Sequence, residues 1–111
     1  MKEDIYKLIK DYGNVSFVEL RNRIDGFNGD LEITARSNSN IILWNGVSDK
    51  AFESIISLMN EGKIIAKPTT PLVYIADGGM LRLPIVKRNQ QYKTPHWLPV
   101  VFVLMKENVN Q

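Results

Sequence analysis

At Gly62 the hydrophobic period of this chain changes. Before it, apolar residues recur at helical spacing, and after it they fall into short runs rich in branched and aromatic side chains. A single chain of 111 residues divided in this way has to pack a helical half and a strand half on one core, which predicts one α+β domain. The charge changes at the same point. Through Gly62 there are 7 Lys/Arg and 10 Asp/Glu, and from Lys63 onward there are 7 and 2, so a net −3 and a net +5 lie behind the formal total of +2. Such sign asymmetry points to an electrostatic binding surface on the strand half.

The helical half is signed by its caps. Ile5, Leu8, Ile9 and Tyr12 share one face of a first helix that Gly13 stops, with Glu3 and Asp4 near its start and Lys10 near its end, as the helix dipole favours. Ser16 and Glu19 form a capping box for a second helix, Val15 and Leu20 its hydrophobic staple, and Phe17, Leu20 and Ile24 are expected to face inward. DGFNGD reads as a loop and Leu31 and Ile33 as a short strand. The polar run Ser37-Asn38-Ser39-Asn40 precedes IILW. A third helix begins at Ser48 with Phe52, Ile55, Ile56 and Met59 on its inner face, and Gly62 ends it in the left-handed conformation.

Beyond Gly62, KIIAK, PLVYIA, MLRLPIVK and LPVVFVLM read as strands, broken by KPTTP, DGG and RNQQYKTP. Helix, helix, short strand, helix and then hairpins is the order of a winged helix-turn-helix, three helices plus a wing, with an extra C-terminal β-hairpin. SDKAFESIISLMNEGKIIAKP in particular resembles the third helix and first wing strand of such domains. The expected domain spans residues 1–106, with 107–111 as a short flexible tail.

Little of the chain suits catalysis. There is no cysteine, which removes disulfides, thiolate chemistry and cysteine-ligated zinc, and the one histidine, His96, sits between Pro95 and Trp97 as packing residues often do. DGFNGD lacks the ligand spacing of a calcium loop, and no nucleophile motif or phosphate loop is present. No enzyme, metal or cofactor is expected. The N-terminus lacks the apolar core of a signal peptide and PVVFVLM is too short to cross a bilayer, so a cytoplasmic protein without membrane contact is expected.

Binding is the better prospect. The third helix offers Asp49, Glu53 and Glu61 against Lys50, a combination that phosphate would repel, and it has no arginine or glutamine for reading base edges. Cations gather instead on the strands: Lys63, Lys67, Arg82, Lys87, Arg88 and Lys93. Alternation places Lys63 with Lys67, and Arg82 with Arg88, on common faces. In KRNQQYKTPHW, Tyr92 and Trp97 stand among positive charges, the mixture that neutralises phosphates while bases stack on rings. The candidate nucleic-acid contacts are therefore Lys67, Arg82, Lys87, Arg88, Tyr92, Lys93 and Trp97. Whether Trp44 and Trp97 lie in the core is left open by the sequence.

Three longer stretches, VSFVELRNRIDGFNGDLEI, NIILWNGVSDKAFESIISLMNEGKI and YKTPHWLPVVFV, resemble the small winged-helix, single-stranded-DNA-binding proteins carried by staphylococcal cassette chromosomes and related mobile elements. The resemblance implies a non-enzymatic role in replication of such an element, beside a replicative helicase or polymerase. No family binding motif comes with it, so the candidate contacts rest on charge and ring placement. Two other functions fit the same residues. One is a protein-interaction accessory of a polymerase or helicase, docking through the acidic half, and the other is a winged-helix transcriptional repressor.

Overall fold

The computed structural model describes residues 1–88 and 90–105. Among them are four helices and two three-stranded sheets in an α+β arrangement: α1 (Lys2–Tyr12), β1 (Val15–Ser16), α2 (Phe17–Arg23), β2 (Asn28–Thr34), β3 (Ile41–Val47), α3 (Asp49–Asn60), β4 (Ile64–Pro68), α4 (Pro71–Asp77), β5 (His96–Trp97) and β6 (Val100–Leu104). The expected tail at 107–111 and the last residue of the expected domain lie outside the described residues.

The helix boundaries follow their local signals. Ser16 Oγ accepts from the Glu19 amide at 3.1 Å, and Ser48 Oγ accepts from Ala51 at the same distance, so each serine satisfies one of the donors a helix start leaves free. At the far end of α3, Gly62 adopts φ +72°. Its amide donates to Met59 and the amide of Lys63 to Leu58, the paired closure of a Schellman turn. Ala51, Ser54, Ile55 and Leu58 form the buried face of α3. The apolar stripe is thus rotated from the expected one, and Phe52 and Ile56 are only half-buried while Met59 is exposed.

One sheet has the order β1-β6-β4, antiparallel throughout, with Val15 opposite Phe102 and Lys67 opposite Val101. The other has the order β2-β3-β5, in which β3 and β5 run parallel and pair Ile41 with His96 and Ile42 with Trp97. The β2–β3 hairpin therefore separates α2 from α3. Its start approaches α3 so closely that a Cβ on Gly29 would lie 2.4 Å from the Cα of Ser48, which only glycine permits.

Two expected strands are corrected. PLVYIA is α4, because Pro71 occupies its first turn with φ already set for a helix and Tyr74 is its single buried anchor. MLRLPIVK is an irregular extended segment whose one bridge joins Ile85 to Trp97, since Pro84 has no amide to continue a ladder. LPVVFVLM is a strand as expected, β6, and it forms the centre of the first sheet. The hairpin that the structure does show is β2–β3, between α2 and α3, and no extra C-terminal hairpin occurs among the described residues.

Aromatic side chains join the two sheets. Phe17 stacks on Trp44 with centroids 6.1 Å apart and meets the ring of Phe102 edge-on at 5.0 Å, while Tyr74 meets Trp97 edge-on at 5.0 Å and lies 5.2 Å from Trp44. Edge-to-face and offset arrangements suit the ring quadrupoles, so this cluster fixes orientation as well as burying area. Among the described residues no helix is long and apolar enough to cross a membrane.

Candidate nucleic-acid interface

The chain between α4 and β5 forms the wall of a cleft of about 600 Å³. Leu83, Pro84 and Ile85 give it an apolar side, and Lys87, Arg88, Gln90 and His96 give it a polar rim. The apolar side is laid down along β5, where the Trp97 amide donates to Pro84 at 2.8 Å and the Val86 amide to Trp97 at 2.9 Å. After Val86 the chain turns away from the sheet, and Tyr92 closes the turn. Its hydroxyl accepts from the amides of Lys87 at 3.0 Å and Arg88 at 3.2 Å, and it lies 3.2 Å from the Arg88 carbonyl to which it donates.

The turn is also fastened from outside. Asn38 and Asn40, from the polar run between β2 and β3, donate their side-chain amides to the carbonyl of Tyr92 at 3.2 and 2.9 Å, and Asn38 also reaches Gln91. The polarity of SNSN was visible in the sequence, but its partner more than fifty residues later was not. His96 packs on the Tyr92 ring with centroids 4.0 Å apart. Its Nδ1 lies 2.8 Å from the Thr94 carbonyl, which can only accept, so in the neutral ring Nδ1 carries the proton and Nε2 keeps its lone pair.

The structure divides the expected contacts. Lys87 and Arg88 rim the cleft, and Arg82 lines a neighbouring cavity of about 330 Å³ that shares Leu83 with it. Lys67, on the edge strand β4, and Lys93 are exposed and line neither. The common face expected for Arg82 and Arg88 has no strand to define it. Among the described residues, none of Lys67, Arg82, Lys87, Arg88 and Lys93 is paired with a carboxylate, whereas Lys2 and Lys63 are held by Glu61 and Arg23 by Glu19.

Both expected stacking rings are corrected. Trp97 is 0% exposed, enclosed by Trp44 and Tyr74, with Nε1 donating to Leu43, so no base reaches it. Trp44 is buried as well. Tyr92 is 9% exposed, one face covered by His96 and its hydroxyl spent on the turn, so it holds the site in shape. The ring left half-open at the cleft is His96, which the sequence had assigned to packing.

The outer surface of α3 is acidic, as its sequence indicated: Asp49, Glu53 and Glu61 are exposed beside Lys50. A hydrogen bond from Lys2 is the main cause that holds the Glu61 carboxyl below its ordinary value, with Ser57 and Lys63 adding to it. Among the described residues no three His, Asp or Glu side chains converge as a metal ion would require. Compared with family models, with curated proteins and with solved structures, the chain matches none.

Proposed function

We propose that this protein is a non-enzymatic module that binds single-stranded DNA, built on a winged-helix plan. The connectivity supports that plan: α1, β1, α2, α3, β4 and β6 follow one another as in a winged helix, and the sheet order β1-β6-β4 is the one such a domain uses. Two insertions modify it. The β2–β3 hairpin stands between the second and third helices, and α4, the cleft segment and β5 occupy the wing between β4 and β6.

The observation that carries the function is that five cations without a carboxylate partner among the described residues, Lys67, Arg82, Lys87, Arg88 and Lys93, lie on the chain from β4 to β5 while the outer face of α3 is acidic. Phosphates are drawn to the wing side and repelled from the helix that ordinarily enters a duplex groove. A role in replicating a mobile element, beside its helicase or polymerase, extends this reading through the sequence resemblance. One observation favours protein interaction as a second reading: α4 and the residues just after it leave Leu72, Ile75 and Met80 largely exposed.

Fluorescence anisotropy with labelled single strands and duplexes of equal length, at two salt concentrations, tests the proposal. Tighter, salt-sensitive binding of the single strand is expected. Sequence-selective duplex binding supports the repressor function instead, and no DNA binding leaves the protein-interaction reading.

A further inference from the structure

We infer that the cleft beside β5 seats one unpaired base, stacked on His96, with the flanking phosphates on Lys87 and Arg88; this rests on the single-strand reading above. Its volume of about 600 Å³ lies within the range of small-molecule sites, and its lining has their composition, an apolar wall with a few convergent polar groups. His96 is the half-open ring there. Tyr92 packs against one of its faces at a tilt of 34° with centroids 4.0 Å apart, which leaves the other face for a base to stack on.

The edge of that base meets hydrogen-bonding groups of both kinds. Gln90 offers both an amide donor and an amide acceptor at the rim. The backbone cannot serve as the phosphate cradle, since the amides of Lys87 and Arg88 are taken by the Tyr92 hydroxyl. Charge on the two side chains remains for that task. A base within a duplex is paired and stacked and cannot enter, so the cleft itself discriminates single strands, independently of the acidic α3.

The test compares an oligo-dT with a fully abasic oligomer of the same length and charge, binding each to the parent protein and to His96→Ala. The parent is expected to prefer oligo-dT by roughly 5- to 150-fold, the range of one stacked base. His96→Ala is expected to lose that preference and keep the salt dependence. Equal binding of both oligomers by the parent overturns the cleft and leaves the single-strand reading standing, whereas binding of neither overturns that reading and the cleft with it. A folded His96→Ala that retains the preference also overturns the cleft. If that variant fails to fold, an oligomer abasic except for one 2-aminopurine decides on the parent alone: quenching on binding is expected, and unchanged emission overturns the proposal.

Discussion

The hydroxyl of Tyr74 donates to the carbonyl of Val100 at 2.6 Å and accepts from the amide of Phe17 at 3.1 Å. One fully buried side chain in α4 thus joins the centre of the first sheet to the start of α2. The Phe17 amide is a helix-start donor with no partner inside α2, so the phenol satisfies a group that burial would otherwise leave orphaned.

Tyr74→Phe keeps the ring and strands both backbone groups. It should cost about 1–3 kcal/mol, read as a lower urea midpoint at unchanged slope. Burial, the larger effect, raises the Tyr74 pKa well above its ordinary 10.0 against the hydrogen bond from Phe17. A folded value above the unfolded one gives stability that is fully present below pH 10.0 and lost as pH rises beyond it. Spectrophotometric titration should therefore find one phenol fewer ionising in the native protein than in the denatured one, and Tyr74→Phe should abolish the difference.

Ser16 serves two partners, accepting from the Glu19 amide and donating to Asp77 Oδ2 at 2.7 Å. Ser16→Ala should cost about 1–2 kcal/mol, since it removes a cap and unpairs Asp77 at once. Asp77→Ala should cost less, and the double variant less than the two together, because they share one hydrogen bond. Additive costs in thermal melts would show that α4 is not tied to α2 through this pair.

What the sequence disclosed was local. Ser16, Ser48 and Gly62 mark helix ends because a cap acts within three or four residues, and each stands where its pattern placed it. PLVYIA alternates like a strand, yet Pro71 and the distant partners of Tyr74 decide for a helix. The strand β2 gave little signal because only Ile33 of its seven residues is buried. At the candidate site, the charges of Lys87 and Arg88 were legible, but the exchange of roles between Tyr92, Trp97 and His96 depends on burial against β3, α4 and the SNSN run, which no local pattern encodes.

Tyr92→Phe isolates the hydroxyl that closes the cleft turn, because the ring can still pack on His96. The fold should persist. Amide exchange at Lys87 and Arg88 should accelerate by roughly tenfold, the loss of about one net hydrogen bond. Unchanged protection at both amides would mean that Asn38 and Asn40 hold the turn without it.

Lys2→Ala tests the ion pair that joins α1 to the end of α3. Removing the hydrogen bond from Lys2 should raise the Glu61 pKa toward 4.5, followed by NMR titration of its carboxyl carbon. With a folded value below the unfolded one, the stabilisation exists above the unfolded pKa and is lost as pH falls through the folded one. Both side chains are exposed, so the melting temperature at neutral pH should hardly move.

The cations and the ring at the cleft should leave different marks on single-strand binding. Arg88→Ala removes one phosphate contact, so affinity should fall alike for every sequence and the salt slope should shrink by about 0.7. Lys50→Ala, a cation of similar exposure on the acidic face of α3, should change neither. Lys87→Ala with Arg88→Ala should shrink the slope by about twice as much, since each side chain displaces its own counterion. Equal slopes in the parent and the double variant would remove phosphate binding from the cleft rim and leave Lys67, Arg82 and Lys93 as the remaining cations to carry it.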